Sequence, residues 1–167
     1  MSRKIKQKIF TIFVEGDSEM IYFKALNQQQ WVRDSKYKLN LVRCKNHDEL
    51  LKIALRGKYD RKNLTAFDKD HMTSEKFNKL LQMDYIVGFS NPKIELWFLA
   101  HYEKLQADYS DIDKSLKRYI SDYYKTHPQI ADLAKNYAQA IQNVGKKAIP
   151  NFDVMCTSVG SVIQEIA

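Results

Sequence analysis

Hydrophobic residues in this chain come first as short dense runs and later at helical spacing, and the change falls near residue 92. Residues 8–15, KIFTIFVE, are rich in β-branched and aromatic side chains and stop at Gly16, the pattern of a buried strand. Over about 18–32, SEMIYFKALNQQQWV, a helix is predicted: Met20, Phe23 and Leu26 recur three apart, Ile21 and Ala25 widen the stripe, and Asp17 or Ser18 can cap it. The segment 37–43, YKLNLVR, alternates as a second strand. Asn46, His47 and Asp48 offer caps to a helix carrying Leu50, Leu51, Ile53, Ala54 and Leu55, which Gly57 ends. A third strand over about 63–67, NLTAF, runs into Asp68-Lys69-Asp70, after which Thr73 or Ser74 caps a helix through Phe77, Leu80 and Leu81. A fourth strand over about 84–89, DYIVGF, ends at Ser90-Asn91-Pro92.

Strands that alternate with helices call for a parallel sheet, because parallel neighbours need crossovers of about a dozen residues or more. From Pro92 onward the strand signal disappears. Residues 92–103, 111–125, 128–144 and 157–166 read as helices, with Pro92 and Pro128 at helix-opening positions. No linker, repeat or low-complexity run intervenes. The expected architecture is an α/β core over 1–103, a mainly parallel four-stranded sheet flanked by helices, with a helical extension over 104–167 packed on it as one compact domain.

Composition narrows the class. With 167 residues, 44% hydrophobic, and only 5 glycines and 3 prolines, the chain can bury a core and is neither collagenous nor low-complexity. Cys44 and Cys156 lie far apart with no CxxC, which disfavours a disulfide scaffold or a zinc knuckle and points to a reducing, cytoplasmic compartment. The basic opening carries a short apolar stretch that runs into Glu15 and Asp17, so neither a signal peptide nor a membrane span is expected. Lys and Arg number 27 against 20 Asp and Glu, a net charge of +7 that favours a polyanion, nucleic acid first, and equally suits plain solubility.

Candidate chemistry follows from the strand ends. Ligands of open parallel sheets bind beyond the carboxyl ends of the strands. Glu15 follows the first predicted strand, Asp68 and Asp70 the third, Ser90 and Asn91 the fourth. Carboxylates gathered there repel one another unless a cation lies between them, and an oxygen-only donor set favours Mg2+ or Mn2+ over zinc. The plainer alternative makes Asp68 a strand end and Asp70 a helix cap. Gly16 either approaches whatever fills the crevice or serves a turn of special backbone angle. Glu19, in the first helical turn, ranks as a dipole partner ahead of metal ligation. Glu95 lies among Ile94, Leu96, Trp97 and Phe98, where a carboxylate is costly without a cation or donor. Trp97 and Phe98 read as core, and His101 as a buried histidine with one hydrogen bond. Arg56, Lys58, Arg61 and Lys62 crowd the approach to the third strand and Lys69 stands between the aspartates, so all can meet a phosphate. Lys114, Lys117 and Arg118 with Tyr119, Tyr123 and Tyr124 form either a base-stacking face or half-buried packing. No P-loop and no nucleophile elbow is present.

Three segments carry a family resemblance: FVEGDSEMIYFKAL at 13–26, AFDKDH at 66–71 and FSNPKIELWFLAHY at 89–102. In this order they resemble the motifs of RloB-like proteins, which are usually found with restriction or abortive phage-defence systems and are similar to the Toprim fold. The resemblance spans about 13–102. It implies a Toprim-like core and a Mg2+- or Mn2+-dependent nuclease, or nuclease subunit, acting on DNA or RNA. Glu15 would then be a proton shuttle or metal ligand, Asp68 and Asp70 the metal pair with Glu95 beside them, and Gly16, Lys69, Ser90, Asn91, Arg61 and Lys62 the contacts to substrate. A separately encoded ATPase is implied as a partner, and homo-oligomerisation is left open. One departure stands out: where many relatives place another acid after the aspartate pair, this chain has His71. That favours the rival reading, a non-catalytic nucleic-acid-binding or regulatory subunit acting with an ATPase.

Overall fold

The computed structural model describes residues 6–56, 63–70 and 72–167. Four strands, β1 (Lys8–Val14), β2 (Tyr37–Arg43), β3 (Leu64–Asp68) and β4 (Ile86–Asn91), run parallel. A fifth, β5 (Cys156–Thr157), pairs antiparallel with the end of β4, giving the order β2-β1-β3-β4-β5. The α/β class and the parallel sheet are as expected. The fifth strand is a correction, since two residues are too few to carry a period-2 signal.

The helices are α1 (Asp17–Asn27), α2 (Gln30–Arg33), α3 (His47–Leu55), α4 (Ser74–Gln82), α5 (Glu95–Ala100), α6 (Ile112–Lys117), α7 (Gln129–Leu133), α8 (Tyr137–Val144) and α9 (Val159–Ile166). Two caps are those the sequence offers: Asn46 accepts from the Glu49 N–H at 2.9 Å and Thr73 from the Lys76 N–H at 3.3 Å. At α1 the cap is Gly16, with no side-chain hydrogen bond. Asp17 is instead paired with Arg43, and Ser18 Oγ donates to the Lys125 carbonyl at 2.5 Å. The single helix expected over 18–32 breaks at Gln28–Gln29. Pro92 does not open α5, because residues 92–94 form a lead-in turn in which the Leu96 N–H donates to the Lys93 carbonyl. The stretches 111–125 and 128–144 are also only partly helical; Asp122 has φ 56°, a left-handed residue beyond α6. Gly57 lies outside the described residues.

Strand alternation divides the apolar residues between two layers. Phe10, Ile12, Val14, Leu64 and Ala66 pack with Tyr22, Phe23 and Leu26 of α1, the whole of α5 from Leu96 on, and Val159, Val162 and Ile163 of α9. Phe13, Phe67, Val87 and Phe89 face the opposite way, onto Leu50 of α3 and Phe77 and Leu80 of α4. The first layer draws on residues from Phe10 to Ile166, so the C-terminal helices complete one face of the sheet. Trp97 and Phe98 are wholly buried, as expected. His101 is buried too, and holds two hydrogen bonds where one was expected. Its Nδ1 donates to the Trp97 carbonyl at 2.9 Å, leaving Nε2 to accept from Tyr22 Oη–H at 3.0 Å. Burial lowers its pKa to about 4, so it stays neutral. Among the described residues no helix is long and apolar enough to cross a membrane.

Two glycines test this packing differently. A Cβ on Gly88 of β4 would fall 2.8 Å from the Thr65 carbonyl and 2.9 Å from Val162 Cγ2, atoms that fix the spacing of β3 and α9. One on Gly145 would meet nothing within 4 Å, but that residue has φ 53° and ψ −125°, which only glycine adopts at low cost. Gly88→Ala should cost roughly 2–3 kcal/mol through overpacking, and Gly145→Ala about 1–2 kcal/mol through the backbone alone. Thermal unfolding of both variants checks the ranking: the Gly88 variant should fall by about 5–10 °C and the Gly145 variant by less.

Candidate functional site

The sheet order places β2 on one side of β1 and β3 on the other, so the chain changes direction between β1 and β3. Crevices form beyond the carboxyl ends at such a switch point. There a cavity of about 720 Å³ opens, lined by the acids Glu15, Glu19, Asp68 and Glu95 and by the bases Lys69, Lys93 and Lys125 among others. Glu15 follows β1 and Asp68 ends β3. Glu19 comes from the first turn of α1, and Glu95 opens α5.

Asp68 is two residues beyond Ala66, which faces the layer of α1 and α5, and alternation therefore turns it toward Glu19 and Glu95. Glu19 and Glu95 are only 3% and 4% exposed. Burial, with Glu95 and Glu15 adding repulsion, pushes the Glu19 carboxyl up to about 7, although hydrogen bonding to its own backbone partly offsets the rise. Burial likewise drives Asp68 well above the usual carboxylate range, with Glu19, Glu95 and Glu15 adding to it in that order. Asp68 Oδ1 is buried and has no hydrogen-bond partner. Glu95 is supplied with a donor: Tyr123 Oη–H reaches its Oε1 at 2.9 Å. Gly16 serves Glu19, since a Cβ there would lie 2.3 Å from Glu19 Oε2. Its φ of −114° is ordinary extended backbone, so the special turn angle considered for it is absent and room for a carboxylate is its role.

Glu15 is drawn the other way. The Asp68 backbone N–H donates to its Oε2 at 3.3 Å, and His47 Nδ1 stands 2.9 Å from its Oε1, an ion-pair contact off the line of a straight hydrogen bond. His47 Nε2 donates to the Asp70 carbonyl at 2.6 Å. Burial alone would lower the His47 pKa, but Glu15 and the Asp70 carbonyl outweigh it and the net shift is upward.

The aspartate pair is split. β3 ends at Asp68, and the chain turns so that the Met72 N–H donates to the Lys69 carbonyl at 2.8 Å, leaving Asp70 exposed at the rim. Lys69 lies beside it, its Nζ 4.2 Å from the centre of the Phe152 ring. Ser90 and Asn91, expected to face substrate, belong to the packing of β5 instead. Ser90 Oγ pairs with Thr157 Oγ1 at 3.0 Å, and Asn91 Nδ2 donates to the carbonyls of Asn151, Phe152 and Val154. An antiparallel partner at the end of β4 turned these polar groups inward. Arg61, Lys62, Lys58 and His71 lie outside the described residues. Of the two readings of the tyrosine face, packing describes Tyr123, which is buried against Glu95, and Tyr119, which stacks on Tyr102 at 4.7 Å and donates to Glu103. Of that trio Tyr124 is the most open.

An oxygen-only set with one orphaned buried oxygen suits a hard divalent cation. Among the described residues no three His, Cys, Asp or Glu side chains are arranged to hold a metal ion. The reason is visible in the polar contacts: a hydrogen bond and the His47 contact engage the two oxygens of Glu15, and Tyr123 engages one of Glu95. Mg2+ or Mn2+ would fit by taking one or two direct carboxylates, Asp68 foremost, and keeping water for the rest of its shell.

The sheet and crevice define a parallel α/β protein with an acidic site at its switch point. The family model described as RloB-like protein matches residues 10–166, and the chain belongs to that family. No curated protein and no solved structure matches it.

The charge crowding predicts a pH dependence. The folded state holds the Glu19 proton up to about pH 7, whereas the unfolded chain releases it near 4.5. Between these values the folded form binds more protons, so stability falls as pH rises through the window and stays reduced above it. Glu19→Gln removes that loss. Measured in EDTA, it should raise the melting temperature by several °C at pH 8, on the order of 1–3 kcal/mol, and change it little at pH 4.5. Equal melting temperatures at pH 8 would remove the electrostatic account of the cluster.

Proposed function

We propose that this protein hydrolyses phosphodiester bonds of nucleic acid with a divalent cation, Mg2+ or Mn2+, held at Asp68. The reading rests above all on Asp68 Oδ1, buried without a partner where Glu19, Glu95 and Glu15 already raise its proton affinity. A cation there would relieve the repulsion of the whole group, and the Toprim-like core that the family resemblance implies suggests the reaction class.

In this scheme Asp68 holds the cation, with Glu19 and Glu95 placed to hold its water shell. When bound, the cation supplies an activated water and neutralises charge on the phosphoryl oxygens. Glu15 is in position to accept a proton at Oε1 or Oε2, and Asp70 at the rim meets the outer water. Lys69, Lys93 and Lys125 line the same cavity and in this scheme bind the phosphate backbone. Arg61 and Lys62, outside the described residues, are proposed as further contacts to that backbone. The target is DNA or RNA, in the restriction or abortive-infection setting that the family resemblance implies, with a separately encoded ATPase as partner.

Labelled DNA and RNA oligonucleotides incubated with Mg2+ or Mn2+ test this directly. Cleavage should vanish in EDTA and drop by at least about 100-fold in Asp68→Asn, a variant that removes one buried charge and so should melt no lower than the parent. Lys69→Ala should lower kcat/KM by about tenfold, with a shallower salt dependence. Unchanged cleavage in Asp68→Asn would refute the assignment. Nucleic-acid affinity retained in EDTA, with no cleavage under any divalent ion, would instead mark a regulatory subunit.

A further inference from the structure

His47 enters the sequence reading only as one of three residues able to cap α3, and the cap turns out to be Asn46. That frees the imidazole of the first residue of α3 for another purpose. It is 7% exposed and spans two chain segments that approach from different strands. On one side Nδ1 stands 2.9 Å from Glu15 Oε1, just past β1. On the other Nε2 donates at 2.6 Å to the carbonyl of Asp70, just past β3. The ring itself is set against Phe67 at 6.1 Å between centres, nearly perpendicular, so the core of the α3–α4 layer fixes its orientation.

These contacts lie across the switch point. Among the described residues β1 and β3 pair through Ile12–Val14 and Leu64–Ala66, and their ladder is not continued beyond Ala66. The contacts that join them there include the Asp68 N–H to Glu15 at 3.3 Å and the histidine bridge. Removing the bridge leaves the end of β1 tied to Asp68 by a long hydrogen bond, while β4 still holds the end of β3 through the Lys69 N–H to the Ser90 carbonyl at 3.0 Å.

We propose that His47 is a positioning residue for the cation: by holding Glu15 and the Asp70 carbonyl together it fixes the strand ends so that Asp68 and its neighbours present oxygens at a common point. The inference rests on the metal-dependent reading above. Its residue is not a ligand in that scheme and contacts no substrate. Residues that orient a metal's surroundings in this way typically carry a factor of about 10–100 in metal affinity.

Substitutions separate the two arms. The amide nitrogen of asparagine overlies Nδ1 of histidine and that of glutamine overlies Nε2, so His47→Asn can keep the Glu15 contact, His47→Gln the Asp70 contact, and His47→Ala neither. Mn2+ titrated calorimetrically into each full-length variant gives the readout, with circular dichroism confirming the fold. His47→Ala should bind Mn2+ about 10–100-fold more weakly than the parent, and the Asn and Gln variants should each recover part of the loss. A cycle with Glu15→Gln sharpens this: that change should weaken Mn2+ binding in the parent and add little in the His47→Ala background. In the cleavage assay kcat should fall while KM for the oligonucleotide stays within about twofold, a split that general loosening of the fold would not produce. Should the Ala variant fail to fold, the Asn and Gln variants decide. Wild-type Mn2+ affinity in all folded His47 variants, with Asp68→Asn losing it, overturns the positioning role and leaves the functional reading standing. Absence of Mn2+ binding by the unmodified protein overturns both.

Discussion

Mutual repulsion among carboxylates at the carboxyl edge of the sheet is the constraint to which the surrounding structure is fitted. Glu19 and Glu95 are almost fully buried, and Asp68 presents a buried oxygen to nothing. Ionised groups so placed lose hydration and gain like-charged neighbours, and both effects act against folding. Such an arrangement persists only if the rest of the fold is stable enough to carry it. That stability comes from two apolar layers, one on each face of the sheet, with the larger layer recruiting residues from both ends of the chain.

The supports around the acids come from distant parts of the sequence. Tyr123 gives Glu95 a proton donor across 28 positions, and Ser18 ties the start of α1 to the Lys125 carbonyl across 107. Lys93, near Glu95, is paired with Asp113 at 2.8 Å. These three contacts fasten the segment from α6 to Lys125 over the cavity, and the left-handed Asp122 sits in the turn that delivers Tyr123. Gly16 acts in the opposite sense, by leaving space. A side chain there would displace the carboxylate of Glu19 from the position that brings it near Asp68.

The parallel strands were legible because buried strands are continuous apolar runs punctuated by glycine or polar residues, and KIFTIFV and LTAF are such runs. β5 was not, for two residues carry no period, and its presence is what redirects Ser90 and Asn91 away from the cavity. Glu15, Asp68 and Glu95 could be nominated because a carboxylate beside an apolar run is conspicuous. Spacing alone could not divide Asp68 from Asp70: that depended on where β3 stops, and strand ends are set by pairing with β4 rather than by local preference. Glu19 is less legible for a related reason. A glutamate in a first turn serves the helix dipole when exposed, and only the tertiary contact with β3 makes it a buried member of an acidic group. His47 left no signal, since its partners are a carbonyl and a carboxylate from two other strands.

The distribution of these partners also bears on which ion the site can accept. Both oxygens of Glu15 and one of Glu95 are already engaged, so in the proposed scheme direct coordination would fall to Asp68, with Glu19 beside it. A cation that prefers six or more protein oxygens would have to strip away the Tyr123 and His47 contacts, each of which now offsets a buried negative charge. A smaller ion that keeps most of its own water needs no such rearrangement, because the second oxygens of Glu19 and Glu95 can accept from that water at longer range. In the proposed scheme the same contacts that make four acids tolerable in one crevice would favour a hydrated ion of the Mg2+ type over one that needs many protein oxygens.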